Sequence, residues 1–143
     1  HKFTTPVIFD IEKMCICKEL AFYADKLKQV QYSPDGKLLI AVDHQSAYTI
    51  FDTENEYAVI KSVQIDFPSN YQYINFSSDG SLFGLTGDYG NYVLVYETKT
   101  KELLAKIRCK NTFVNFFKFS NCGGNEQLFH RKQRLRFLSP PRK

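Results

Sequence analysis

The sequence lacks the features that usually mark membrane, secreted or metal-binding chains. It contains no Trp, one Met, seven Gly and four Cys among 143 residues. No apolar run approaches the roughly 18 residues that a membrane-spanning helix needs, and the first residues show no signal-peptide pattern. We therefore expect no membrane association. Because the sequence starts at His1 without an initiator Met, we also expect it to be a piece of a longer protein.

The cysteines do not have the spacing of a metal centre. Only one residue separates Cys15 from Cys17, whereas zinc sites favour two or more, and no other Cys or His pair has such spacing. We expect no metal and no cofactor. The four cysteines, which include Cys109 and Cys122, are interpreted as small apolar strand residues in a reducing, intracellular compartment, either cytoplasm or nucleus.

No residue set for catalysis is visible either. His44 stands in a polar connection where a ligand or a base could lie. No Ser, Cys or Asp arrangement accompanies it that would define a nucleophile and its base, so we interpret it as a solvated turn residue. We predict no catalytic residue and no enzyme activity, and an enzyme ranks third among the functional hypotheses.

What the sequence does contain is a repeat. The segment YSPDG at residues 32–36 returns as FSSDG at residues 76–80, and TIFD at 49–52 returns as LVYE at 94–97. The first pair lies 44 residues apart and the second pair 45. Self-similarity at a fixed period of this size indicates a repeat architecture in which each unit is one supersecondary motif.

Each unit reads as four short strands. The first strand alternates apolar and polar residues, as in VQYS at 30–33, INFS at 74–77 and FKFS at 117–120. An Asp-Gly turn follows it in the first two units, where Gly supplies a positive φ. Two further apolar runs come next, at 38–42 and 48–51 in the first unit, before a polar break and a fourth strand. Four short antiparallel strands per unit form one propeller blade.

This repeat resembles the WD-repeat family of β-propellers. The residues that match the family's Trp-Asp pair are FD at 51–52 and YE at 96–97, and FD at 9–10 fits a truncated unit upstream. The chain departs from the family pattern because it has no Trp and no Gly-His dipeptide, and because Gln45 and Gly90 stand where the family has Asp. We therefore expect apolar packing to replace the family's buried hydrogen-bonded network.

The predicted fold class is all-β, with antiparallel four-stranded blades of a WD-repeat-like β-propeller in an incomplete ring. A helical alternative stays open for residues 5–22, because Ile11, Met14, Cys15 and Phe22 could share one helix face, although the repeat register favours strands. The predicted domains are a partial propeller at 1–138, with a partial blade at 5–22, blades at about 27–66 and 71–109 and a last partial blade at 112–138, and a basic tail at 139–143.

The basic charge is concentrated at the end of the chain. Residues 124–143 contain six basic residues and one acidic residue, a net charge of +5, which leaves −1 for the rest of the chain. One interpretation is an arm that binds nucleic acid or an acidic partner. The other, which we favour, makes 128–130 and 134–137 the second and third strands of a last blade. The candidate anion contacts are Arg131, Lys132, Arg134, Arg136, Arg142 and Lys143.

The tail also contains a candidate phosphorylation site. Ser139 is followed by Pro140 and, after one more residue, by Arg142, a pattern typical of sites for proline-directed kinases. A phosphate there would place negative charge beside Arg142 and weaken anion binding by this segment.

The resemblance implies a scaffold whose loop faces bind protein segments. The leading hypothesis is a non-enzymatic protein-interaction module within an intracellular multi-protein assembly. The alternative is a nucleic-acid-associated, ribonucleoprotein-type module that uses the basic segment 130–143. An incomplete ring leaves strand edges open, so we expect missing blades, a second copy or a partner strand to cover them.

Overall fold

The computed structural model describes residues 6–20, 27–43, 47–64, 73–86, 91–109, 114 and 117–120 in full, and residues 87, 121 and 133–137 as backbone. These residues form twelve strands in four antiparallel sheets, and no helix occurs among them. The predicted all-β fold of antiparallel, blade-like four-stranded sheets is confirmed. No helix in the described part of the chain is long and apolar enough to span a membrane.

Within each sheet, every strand pairs with the next one along the chain. Blade 1 is the pair β1-β2, blade 2 has the order β3-β4-β5-β6, blade 3 has the order β10-β9-β8-β7, and blade 4 is the pair β11-β12. The strands are β1 Val7–Asp10, β2 Cys15–Glu19, β3 Leu27–Tyr32, β4 Leu38–Asp43, β5 Ala47–Asp52, β6 Ala58–Gln64, β7 Ile74–Phe76, β8 Leu82–Gly87, β9 Tyr92–Glu97, β10 Leu103–Arg108, β11 Phe117–Asn121 and β12 Gln133–Phe137.

The Ser-x-Asp-Gly turn explains how β3 reverses into β4. Gly36 has a φ of 75°, a backbone conformation that is unfavourable for residues with a Cβ. The Ser33 hydroxyl donates to the Asp35 carboxylate at 2.6 Å and accepts the Leu38 N–H at 3.0 Å. Lys37 N–H donates to the same carboxylate at 3.0 Å. The buried serine therefore satisfies the backbone at the point where the hairpin opens.

Blade 3 repeats this turn atom for atom. Ser77 donates to Asp79 at 2.8 Å and accepts the Leu82 N–H at 3.0 Å, and Gly80 takes a φ of 74°. Because both copies have the same contacts, the Asp-Gly signal in the sequence specifies a complete turn rather than a flexible loop.

Apolar residues on both faces of the middle strands hold the blades together. Leu39 and Ala41 of β4 pack with Phe51 towards blade 1, whereas Ile40 and Val42 of the same strand pack towards blade 3. This follows from the alternation of side chains along a strand. The cluster between blades 2 and 3 consists of Ile40, Val42, Tyr48, Ile50, Ile74, Phe76, Phe83, Leu85, Leu94 and Tyr96.

Side-chain amides join the first strands of neighbouring blades. The Gln29 amide donates to the Ile74 carbonyl at 3.2 Å and accepts the Ile74 N–H at 2.9 Å. The Asn75 amide donates in the same way to the Phe117 carbonyl of blade 4 at 3.2 Å. These contacts connect β3 to β7 and β7 to β11. The first strands of blades 2, 3 and 4, which we call the inner strands, are therefore joined each to the next.

The same β-bulge occurs wherever a third strand pairs with a fourth. Register shifts occur at Ile8/Phe9, at Ile50/Phe51 and in β10 between Leu103 and Ala105. Each shift leaves one extra residue on the fourth strand. The extra residues are Cys17, Ile60 and Leu104. Blade 1 therefore has the register of a third and fourth strand, and the helical alternative for residues 5–22 is wrong over β1 and β2.

The final strand lies in a different place from the one predicted. β12 pairs directly with β11, and Phe119 lies opposite Leu135 as Phe76 lies opposite Phe83. Residues 133–137 therefore occupy a second-strand position, and the assignment of 134–137 as a third strand is wrong. The prediction assumed that the connections between strands have the same length in every blade. The entropy cost of closing a loop rises only slowly with its length, so a longer connection between β11 and β12 is tolerated. Residues 128–130 lie outside the described residues.

Candidate interaction surface

The predicted anion-binding residues are placed only in part. Arg134 and Arg136 lie on β12, opposite Ser120 and Lys118 of β11. The other predicted contacts and the phosphorylation candidate lie outside the described residues, so both sites stay predictions. They are Arg131, Lys132, Ser139, Arg142 and Lys143.

The structure describes the residue before His44 and three of the four cysteines. The Asp43 carboxylate accepts the Ala47 N–H at 2.9 Å and so closes the loop between β4 and β5. His44, in that loop, lies outside the described residues. Cys15 and Cys17 are exposed free thiols, and Cys109 is a buried one whose pKa is raised by burial. No group of three metal-binding side chains occurs in the described part of the chain.

Buried tyrosines between blades 2 and 3 form an aromatic cluster. The rings of Phe83 and Tyr96 stack with centroids 5.0 Å apart, and Tyr48 meets Tyr96 edge-on at 5.6 Å. Burial raises the pKa of both Tyr48 and Tyr96. Their phenols therefore stay protonated at neutral pH, in the core between the two blades.

Exposed apolar side chains recur on the fourth strands. Val59 and Ile60 of β6 are 49% and 44% exposed, and Leu103 and Leu104 of β10 are 51% and 46% exposed. Each pair stands at the bulge of its strand. Ile16 of β2 is exposed at the equivalent place beside Cys17. The fourth strands, which are the outer strands of the blades, therefore present exposed apolar side chains at equivalent positions.

A lysine of the preceding blade lies across from each apolar pair. Residues directly opposite in an antiparallel pair share a face of the sheet. Tyr96 and Ile50 both belong to the cluster between blades 2 and 3. Leu103, opposite Tyr96, therefore faces blade 2, and Lys61, opposite Ile50, faces blade 3. The Lys61 ammonium lies 3.5 Å from the Lys101 carbonyl of blade 3. We call the space between Lys61 of β6 and Leu103–Leu104 of β10 a rim cleft. Its equivalent lies between Lys18 of β2 and Val59–Ile60 of β6.

A second exposed apolar set lies at blade 1. Val7 and Phe9 are exposed on the face of β1 that points away from blade 2, because Ile8 packs towards blade 2. Val30 and Tyr32 of β3 are each 41% exposed, whereas their equivalents in blade 3, Ile74 and Phe76, are buried. Val30 pairs with Ala41 and Tyr32 pairs with Leu39, so these two side chains face blade 1. Val7 with Phe9, and Val30 with Tyr32, therefore form two separate surfaces, and each has the character of an interface between sheets.

Sequence reasoning did not find the rim clefts. It treated the fourth strands only as the strands that complete a blade, although each contains two consecutive apolar residues that break the alternation of a half-buried strand. That break, repeated at equivalent positions 44 residues apart, was the available signal.

Comparison with known proteins gives a weak relative and a shared fold. No family model matches the chain. The chain is 19% identical over 129 residues to a BTB/POZ domain and WD-repeat protein, R731, of Acanthamoeba polyphaga mimivirus. The match covers 90% of this chain and 25% of that relative, so the chain spans about a quarter of the relative's length.

Two solved structures share the fold. Hydrazine synthase of Kuenenia stuttgartiensis superposes with a TM-score of 0.65 and 16% identity over 80% of this chain and 32% of its own. The dihydro-heme d1 dehydrogenase NirN, in complex with DHE, gives a TM-score of 0.64 and 18% identity over 78% of this chain and 25% of its own. At these identities the likeness shows a propeller-like fold alone.

These structures correct the prediction that the chain has no enzyme activity. Both are enzymes by name, and both contain a region with this fold. The prediction is contradicted, because an all-β architecture without an evident nucleophile and base is no ground for excluding an enzyme.

Proposed function

We propose that the chain is a protein-interaction module built from WD-repeat-type blades and that it works inside a multi-protein assembly in the cytoplasm or nucleus. The observation that carries the proposal is the recurrence of exposed apolar pairs on successive outer strands. Single exposed apolar residues are normal, whereas exposed apolar residues that adjoin one another are typical of an interaction surface. The relative that combines a BTB/POZ domain with WD repeats supports the proposal.

The proposal includes a cover for the open strand edges and for the apolar face of blade 1. A further sheet stacked on β1 would bury Val7 and Phe9. Strands added to the side of β1 that does not pair with β2 would cover Val30 and Tyr32, which face blade 1. Further blades of the same polypeptide come first among the candidates, then a second copy of the chain, then a partner strand added by β-augmentation.

Affinity capture of the full-length protein from its own cells, followed by quantitative mass spectrometry, tests the module. We expect defined protein partners in amounts comparable to the bait, and we expect nuclease treatment to leave them bound. Recovery of the bait alone would contradict the proposal. Loss of every partner after nuclease treatment would favour the alternative function instead.

The alternative is a nucleic-acid-associated module, favoured by the net charge of +5 in residues 124–143. Lysine and arginine that neutralise phosphates make affinity fall steeply with salt. RNA or DNA affinity of the chain should then decline with salt in proportion to the phosphates contacted, and a chain truncated after Gly123 should lose that binding. Unchanged binding after truncation, or none at low salt, would remove this alternative.

A further inference from the structure

We propose that the rim clefts bind an extended segment of a partner protein in which apolar residues alternate with Asp or Glu. The inference rests on the proposed function as a protein-interaction module, and it names the surface and the chemistry of the partner. It comes from the juxtaposition of an exposed apolar pair on one blade with a lysine on the preceding blade, repeated along blades 1 to 3.

The apolar wall of the cleft is not needed to hold the blades together. Among the described residues, the four apolar residues at the bulges belong to none of the three apolar clusters. They are Val59, Ile60, Leu103 and Leu104, and each has close to half of its surface exposed. Burying an exposed apolar side chain contributes free energy in proportion to the area removed from water. These four residues therefore keep surface that is available for a partner.

The outer strands at the clefts have only part of the usual protection against strand pairing. Natural edge strands discourage pairing through charged residues and bulges that turn the edge away. Here the bulges are present, but Ile60 and Leu104 are the residues that the bulges add. An apolar residue at this position does not protect the edge. In the described part of the chain, the outer sides of β6 and β10 have no paired strand.

Charge specifies the kind of segment that fits. The fourth strands β2, β6 and β10 contain four basic residues and one acidic residue, a net charge of +3. The hydrogen bond from the Lys61 ammonium to the Lys101 carbonyl holds the charge of Lys61 at the cleft between β6 and β10. An ammonium across from an apolar wall favours a carboxylate next to an apolar side chain, and such complementarity mainly sets specificity. An extended backbone brings side chains of both kinds to opposite walls.

The probe for this inference is a fluorescein-labelled peptide of twelve residues in which Glu and Leu alternate. Two matched peptides replace Glu by Lys or Leu by Ser. Each is titrated with the 143-residue chain at low salt, and fluorescence anisotropy reports the affinity. We expect the Glu-Leu peptide to bind and each matched peptide to bind at least about tenfold more weakly, which corresponds to about 1.4 kcal/mol.

Variants of the chain locate the binding. Lys61→Glu and Leu103→Ser should each weaken binding of the Glu-Leu peptide about tenfold or more. Lys28→Glu on β3 and Ile11→Ser in the turn after β1 are the matched controls, since both residues are exposed and neither lies on a fourth strand or in the turn that contains Lys101, and they should change the affinity less than twofold. Melting temperatures of all four variants, measured in parallel, establish that each one folds.

Several results would overturn the inference. They are absence of binding by the Glu-Leu peptide, equal binding of the Lys-Leu peptide, and unchanged affinity in the two cleft variants. Competition by phosphatidylserine vesicles that bind more tightly would identify the cleft as a membrane contact. A change in the sedimentation of the peptide-free chain caused by Leu103→Ser would identify the occupant as a second copy. If cellular partners are captured equally by the cleft variants, the module stands and the cleft inference fails.

Discussion

Phe51 shows what the packing of blades requires of one side chain. Its ring is fully buried and packs with Leu20, Leu39 and Ala41 between blades 1 and 2. Tyr96, its equivalent in blade 3, is buried against Tyr48 and Phe83 of the next cluster. A large aromatic ring at this place fills the gap between two sheets, and its removal would leave a cavity.

We therefore expect Phe51→Ala to lower the free energy of unfolding by about 3 to 5 kcal/mol, the cost of truncating a core Phe. Lys99→Ala, at an exposed turn position, should change it by less than about 0.5 kcal/mol. Chemical denaturation of both variants measures the difference. Equal shifts in the two variants would mean that the blade register is wrong.

The two Ser-x-Asp-Gly turns predict an acid-sensitive component of stability. Hydrogen bonds from Ser33 and from the Lys37 N–H lower the pKa of the Asp35 carboxyl. Burial acts to raise the pKa of Asp79, but hydrogen bonds from Ser81 and Ser77 outweigh it, and that pKa is also lowered. A folded pKa below the unfolded one gives stability that is present above about pH 4 and is lost as pH falls through the folded value.

The double variant Asp35→Asn/Asp79→Asn should therefore be less stable than the parent at pH 7 and should lose less stability between pH 5 and pH 3. Denaturant midpoints at several pH values test this. Glu19→Gln removes an exposed carboxylate on β2, outside both turns, and is the matched control. A pH profile of the double variant that runs parallel to the parent's profile would show that these carboxylates do not carry the effect.

At the scale of the strand, Gly84 is required by its neighbour rather than by its backbone. Its equivalent in blade 2 is Ile40, so a side chain is compatible with this strand position. A Cβ at Gly84 would lie 2.7 Å from the Phe117 ring of blade 4. The ring of one blade thus occupies the space that a side chain fills in another.

Gly84→Ala should cost about 1 to 3 kcal/mol, as overpacking does. The cost should fall when Phe117→Leu removes the ring edge that a Cβ would strike. A double-mutant cycle by chemical denaturation measures the coupling between the two positions. Additive effects would mean that the Ala side chain is accommodated without contact with Phe117.

Local signals explain which strands could be predicted from the sequence. Asp-Gly turns and alternation gave β3 to β5 and β7 to β9, because a turn residue and a pleated strand are specified within a few residues. The bulge at Ile60 could not be located in this way, since a bulge is visible only against its partner strand. Gln29 reads as a solvent-facing residue until the next blade brings the Ile74 backbone to its amide. The position of β12 depends on the length of the connection between β11 and β12, and the repeat period does not determine that length.

At the scale of the molecule, each blade is stabilised by the blades beside it. The middle strands of blades 2 and 3 are buried on both faces, and the inner strands are joined by Gln29 and Asn75. Sheets whose middle strands are apolar on both faces depend on such stacking, because an apolar face is stabilised only when it is removed from water. Blade 1 is covered by blade 2 on one face only, and its other face presents Val7 and Phe9 to solvent.

The 143-residue chain at micromolar concentration should therefore self-associate or unfold with poor cooperativity. The two apolar surfaces around Phe9 and around Val30 are the cause, because solvent-exposed sheet faces and open strand edges favour association. Analytical ultracentrifugation and thermal melts test this, with the double variant Phe9→Ser/Val30→Ser expected to shift the chain towards monomer. Ile11→Ser, which removes an exposed apolar side chain from the turn after β1, should leave the association unchanged. A compact monomer with a sharp two-state melt would contradict the prediction, since such a chain would have no apolar face left to cover.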